Sequence, residues 1–253
     1  MDVSTILFIV VIIILLYIIV RYYTSSSGTV LSGLVDATVM QTINSSSLAG
    51  TDTGVASNNF SYSIWFYVND WNYKYGEPKI IFGRMSGSSG DSSAGSVDGV
   101  SGNGPCPLVS LDPISNNINV NMSVYPGNVD TNTETSIHKC PVQNIPIQRW
   151  VNLLISIYGR TLDVYMDGKL VKTCVMSGVA KINNSAAVFI TPNGGFSGWT
   201  SNFQYFQTPT DPQTAWNIYK VGYGGSMFSN LFSKYQIKFS MIENGTENAS
   251  LTI

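Results

Sequence analysis

Paired carboxylates are the first chemistry to look for, because two of them held about 5–5.5 Å apart support retaining glycoside hydrolysis. The nearest pair along the chain is Asp163 and Asp167, but Tyr165 lies between them on the same strand face and Asp167 falls in a tight turn that accounts for it. Glu77 and Glu134 stand in separate loops with no carboxylate beside them. His138, the single histidine, lies in Thr135-Ser136-Ile137-His138-Lys139, which lacks a nucleophile elbow and reads as an exposed loop. No catalytic residue is expected. The cysteines, Cys106, Cys140 and Cys174, contain no CxxC and have one histidine for company, so zinc has too few ligands. Asp91, Asp98 and Asp112 would suit calcium, without EF-hand spacing; no metal or cofactor site is assigned.

Aromatic side chains offer binding rather than catalysis. Trp71, Tyr73 and Tyr75 follow the first strong strand and form a candidate platform for a glycan or partner. Charged residues make up 11% of the 253 residues, aromatics 12%, and the net charge is −2. A chain without a basic stripe lacks the phosphate-neutralising charge that dominates nucleic-acid affinity, so no nucleic-acid partner is expected. Low charge with many aromatics and amides suits burial against protein partners.

The elements that position these residues begin with an apolar run. From Val3 to Val20 no charge occurs, and about 20 residues at 1.5 Å each span a bilayer core of about 30 Å. Residues 1–23 therefore read as a transmembrane anchor, with Ile6, Leu7, Phe8, Ile12, Leu15, Tyr17 and Val20 in lipid and Arg21 at its end. The first residues carry no Lys or Arg, which argues against a cleaved signal. Arg21 places the large domain on the cytoplasmic side by the positive-inside rule. Residues 24–58, rich in Ser, Thr and Gly, read as a linker with room for one strand.

Strand patterns follow at Phe60–Val68, Lys79–Arg84, Asn117–Val124, Trp150–Tyr158, Thr161–Met166, Lys169–Met176, Ala187–Thr191 and Ser201–Phe206. Asp167-Gly168 marks a two-residue hairpin, and Asp211-Pro212 opens the one helix. Residues 86–104 read as a long surface loop of Gly, Ser and Asp. The expected fold over 59–224 is all-β, an antiparallel jelly-roll sandwich. Beyond it, residues 225–253 form an extension in which Tyr235–Ile242 alternates like a strand. Phe228, Leu231, Phe232, Tyr235 and Ile237 are its expected contact residues, toward a sandwich edge or a neighbouring protein. Cys106 and Cys140, each before a proline, are left open as a disulfide, with Cys174 buried. Sequons begin at Asn44, Asn59, Asn121, Asn183, Asn244 and Asn248, against about four expected by composition alone.

Four motifs in order resemble the laminin G-like, or concanavalin A-like lectin/glucanase, superfamily. They are the aromatic strand and Asp-Trp of Phe60 to Trp71, the Trp150-centred strand, the Leu162 to Gly168 hairpin, and Gly195-Phe196-Ser197-Gly198-Trp199. The blocks Ile145 to Tyr165 and Thr191 to Thr200 resemble proteins of large nucleocytoplasmic DNA viruses. That resemblance implies a membrane-anchored minor capsid protein in the virion's inner membrane, beneath the shell, tethering capsid proteins to the bilayer. A membrane-anchored glycan-binding adhesin in the same fold is the alternative, and the superfamily's hydrolases, with their Glu-x-Asp-x-x-Glu strand, have no counterpart here.

Overall fold

The computed structural model describes residues 29–48, 58–85, 104–125 and 136–224, the backbone of 238–243 and 246–252, and two helical positions, Ile14 and Tyr17. The strands in chain order are β1 (Thr29–Ser32), β2 (Val35–Asp36), β3 (Gln41–Ile43), β4 (Phe60–Asp70), β5 (Lys79–Met85), β6 (Leu108–Leu111), β7 (Ile118–Val124) and β8 (Ser136–Val142). They continue with β9 (Trp150–Tyr158), β10 (Thr161–Met166), β11 (Lys169–Val175), β12 (Ala187–Ile190), β13 (Ser197–Phe206), helix α1 (Pro212–Val221), β14 (Lys238–Glu243) and β15 (Thr246–Thr252).

Two antiparallel sheets make a sandwich. The seven-stranded sheet runs β1-β13-β4-β9-β10-β11, with β2 also on β13, and the six-stranded sheet runs β3-β12-β5-β6-β7-β8. The period-two alternation of β4 explains the interface: Tyr62, Ile64, Phe66 and Val68 face inward and are buried with Val151, Leu153 and Ile155 of β9. Phe82, Val109, Val120 and Met122 meet them from the other sheet. Tyr62, Phe82 and Phe203 form a ring cluster with centroids 5.1 to 5.7 Å apart, the offset spacing aromatic pairs prefer.

The segment expected as a linker supplies three strands, since β1 and β2 pair with β13 and β3 pairs with β12. These are short strands of Ser, Thr and isolated apolars with little pattern of their own, and their partners lie more than a hundred residues away. His138 is likewise not in a loop; it lies in β8 opposite Met122 and is half-buried.

The disulfide joins Cys140 to Cys174 and leaves Cys106 free and buried. Cys140 sits opposite Val120 and Cys174 opposite Leu162, both core residues, so each thiol points inward from the last strand of its sheet at the same edge of the sandwich. Burial pushes the Cys106 thiol up to about 12, partly offset by the nearby Arg84 charge. Arg84 is itself buried and donates to the backbone carbonyls of Ala186 and Asn184, tying the loop before β12 to the core.

Among the described residues no helix is long and apolar enough to cross a membrane. The anchor expected over 1–23 lies outside them apart from Ile14 and Tyr17, both exposed. The expected loop over 86–104 lies outside them except for Gly104. Phe228, Leu231, Phe232, Tyr235 and Ile237 of the tail also lie outside. The tail's strand begins at Lys238 and pairs with β15 as a separate two-stranded sheet.

Candidate functional site on the outer face of the larger sheet

The loop after β4 uses its first two aromatics to hold itself together. Trp71 donates its indole N–H to the Ile114 carbonyl at 3.3 Å, and the Lys79 ammonium lies 4.8 Å from its ring centroid. Tyr73 donates its hydroxyl to the Gly194 carbonyl at 3.0 Å, and Lys74 donates to Asn193 beside it. Desolvation lowers the pKa of Lys79, opposed by Asp112 and Glu77. Tyr75 is exposed, and no ring contact among the described residues joins the three aromatics.

A larger array lies on the outward face of β4, β9 and β13. Alternation sends Trp65 and Tyr67 outward from β4, where Trp199 and Trp150 are the direct cross-strand partners of Tyr67. Gly198, with φ of 153°, makes this possible: a Cβ there would lie 1.8 Å from the Tyr67 carbonyl oxygen. The rings run Trp199 to Tyr67 at 5.5 Å, Tyr67 to Trp150 at 5.8 Å, and Trp150 stacked on Tyr223 at 4.4 Å with 7° between planes. Trp65 then meets Tyr223 at 6.1 Å and stacks on Tyr219 at 5.6 Å.

Helix α1 closes the far end of this row. Asp211 caps it, accepting from the Thr214 amide at 2.9 Å, and Pro212 occupies the first turn. Its apolar side covers Leu154, Tyr165 and Phe206 with Ala215 and Ile218. The hairpin turn supports it from below: Gly168 has φ of 72°, and a Cβ there would meet Trp216 at 2.9 Å and Tyr219 at 3.0 Å. After the helix, Ser201 donates to the Tyr223 carbonyl at 2.6 Å and Asn202 to the Gly222 carbonyl at 3.2 Å, which fixes Tyr223 over Trp150.

The row is graded in exposure. Trp199 and Tyr223 keep 42% and 45% of their surface, whereas Trp65 keeps 5%. Beside Trp65 the floor of the face is polar: Asn152 donates to Ser63 at 3.1 Å and Gln204 donates to Asn202 at 3.0 Å. That leaves the Trp65 indole N–H, the Asn152 Oδ1 and the Gln204 Oε1 buried without a protein partner among the described residues. One donor and two acceptors thus stand unsatisfied beside stacked rings, an arrangement that native interiors rarely leave unused.

Asp163 accepts from the Thr173 hydroxyl at 2.6 Å. Asp167 accepts from the Asn152 amide at 2.9 Å and pairs with Arg149. Asp112 accepts from the amides of Ser115 and Ile114, and these bonds, the Ser115 one foremost, lower its pKa against the effect of burial. Among the described residues no three His, Cys, Asp or Glu side chains are grouped to hold a metal ion, and Asp91, Asp98 and Glu134 lie outside those residues.

No protein-family model and no curated protein matches the sequence. A solved structure does share the fold. The crystal structure of an HCR/D mutant superposes with a TM-score of 0.50 at 10% identity over 78% of this chain and 45% of that one. A botulinum neurotoxin serotype D/C binding domain gives 0.45 at 16% identity, covering 66% of this chain and 40% of that one. A type C botulinum neurotoxin structure, whose cell entry is described as dependent on two ganglioside molecules, gives 0.45 at 16%, covering 64% and 35%. The first likeness establishes a shared β-sandwich and nothing more, and the chain spans less than half the length of these neighbours.

Trp65, Tyr67, Trp150, Trp199 and Tyr223 were visible to sequence reasoning only as marks of the fold. The signal that identifies them as one face is parity: Trp65 and Tyr67 are out of phase with Tyr62, Ile64 and Phe66, and so cannot share the core with them.

Proposed function

We propose that the chain is a membrane-anchored, non-catalytic binding module that takes a glycan on the aromatic outer face of its larger sheet. The observation that carries this reading is the row Trp199, Tyr67, Trp150 and Tyr223, open to solvent at Trp199 and Tyr223. Sugar rings offer C–H faces that stack on aromatics and hydroxyls that both donate and accept. The apolar run before Arg21 supports the anchor. The Cys140–Cys174 bridge supports a sandwich held outside the reducing cytosol, against the weak charge rule at Arg21. The test is a glycan array probed with the detergent-solubilised full chain. Binding that Trp199→Ala abolishes and Tyr75→Ala leaves intact is expected. Loss with Trp71→Ala but not Trp199→Ala would move the site to the loop after β4, and no binding at all would end the reading.

A second reading rests on β11, an edge of the larger sheet among the described residues, where Leu170, Val171 and Val175 are exposed. An apolar edge suits a protein neighbour. It fits a virion protein that tethers capsid proteins to an inner membrane, with the sandwich on the capsid side. Absence from purified virions, or release from membranes by high-pH carbonate, would remove it.

A further inference from the structure

Four of the six sequons have described side chains, and their surroundings separate them. Asn121 lies in β7 at 1% exposure, with no room for a glycan in the folded sheet. Asn59 is half-buried, its side-chain oxygen held by the Gly159 amide of another loop at 2.8 Å, and Asn44 is exposed but leads directly into the short helix Ser45–Leu48, with no bond from its sequon serine to its side chain among the described residues. At the fourth, Asn183, Asn184 and Ser185 are all exposed. The Ser185 amide and hydroxyl both donate to Asn183 Oδ1, at 3.0 and 2.7 Å. The hydroxyl that the sequon requires is therefore already seated on the side-chain amide, and two hydrogen bonds to the oxygen make the amide N–H more acidic, easing loss of its proton to a base. The turn is fixed from both sides: Ala186 donates to the Asn183 carbonyl at 3.1 Å, and buried Arg84 holds the carbonyls of Asn184 and Ala186 from the core.

We propose that Asn183 carries an N-linked glycan. In the transfer, the Asn183 side-chain nitrogen forms a bond to the anomeric carbon of a lipid-diphosphate-linked oligosaccharide. The bond from that carbon to the diphosphate oxygen breaks, the lipid diphosphate leaves with the electron pair, and the amide proton passes to a base of the transferase. The inference rests on the placement of the sandwich outside the cytosol, argued above from the Cys140–Cys174 bridge, and formation of that bridge reports the placement separately from the glycan.

The experiment expresses the full chain in a eukaryotic secretory host and maps its peptides after enzymatic deglycosylation in heavy-oxygen water, which converts an occupied Asn to labelled Asp. Asn183 is expected to be labelled and Asn121 not, in protein whose Cys140–Cys174 bridge is formed. Asn183→Gln should remove one step in gel mobility, Ser185→Ala should remove the same step, and Ser185→Thr should retain it. A bridged protein with unlabelled Asn183 would overturn the proposal while leaving the placement intact. A protein with neither bridge nor glycan would overturn both. Label at Asn121 in folded protein would overturn the sorting by exposure.

Discussion

On β4, Tyr62, Ile64 and Phe66 face the second sheet with no exposed surface, while Trp65 and Tyr67, one residue out of phase, face outward, Trp65 against Tyr219 of α1 and Tyr223 after it. Both faces of the larger sheet are therefore aromatic. The inner one is closed by six strands and is satisfied mainly by packing. Among the described residues the outer one is closed only at the α1 end, and leaves Trp199 and Tyr223 to solvent. A sheet gains stability from the face it buries completely and has freedom to bind on the face it covers in part.

The largest expected effect separates the two faces. Phe66→Ala empties a site in the core and should cost about 3–5 kcal/mol in denaturant unfolding. Trp199→Ala, at the open end of the outer row, should stay within about 1 kcal/mol. Equal losses would mean that the outer row belongs to the core and is not a binding face.

Next in size is the disulfide. Cys140 and Cys174 are 34 residues apart in sequence, and closing a loop of that length restricts the unfolded chain by about 3–4 kcal/mol on the entropic account. Cys140→Ser with Cys174→Ser should lower stability toward that amount. Hydrogen exchange should rise first at β8 and β11, whose edge the bridge closes. Exchange that rises first on the outer face would show that the bridge supports the aromatic row instead. Free Cys106 offers a check within the same sample. Its folded pKa of about 12 lies above the ordinary thiol value of about 8.5, so its contribution is fully present below pH 8.5 and is lost as pH rises toward 12. At pH 8 an alkylating reagent should label Cys106 only after unfolding.

Local signals carried most of the sandwich. β4, β9 and β10 announce themselves by aromatic and β-branched alternation, the Asp167-Gly168 turn by its two residues, and α1 by Asp211-Pro212. What escaped was decided by distant partners. Thr29–Ser32 and Gln41–Ile43 become strands because β13 and β12 offer edges, and β6 is four residues long. The pairing of Cys140 with Cys174 follows from two strands ending on the same side of the sandwich, which neither cysteine's neighbours reveal. The outer row was hidden for the same reason: Tyr67, Trp150, Trp199 and Tyr223 are scattered along the chain and adjacent only through register. Trp71 and Tyr73, close together in sequence and conspicuous, donate to the carbonyls of Ile114 and Gly194.

The smallest expected effect lies at the helix that covers the outer face. Asp211 accepts from the Thr214 amide and hydroxyl, and these bonds lower its pKa against a small opposing effect of burial. With the folded pKa below the unfolded value of about 3.9, the contribution is present above that pH and is lost as pH falls through the folded value. Asp211→Ala should cost about 1 kcal/mol at pH 7, the ordinary loss of an N-cap. Asp211→Asn keeps an oxygen acceptor for Thr214 but cannot titrate, so it should lie near wild type at pH 7 and match or exceed it at about pH 3 and below. The readout that ties this to the comparison is tryptophan fluorescence. Loosening α1 shifts Tyr219 off Trp65 and should change emission before the core unfolds, whereas a helix that merely decorates the sheet would leave emission unchanged until global unfolding.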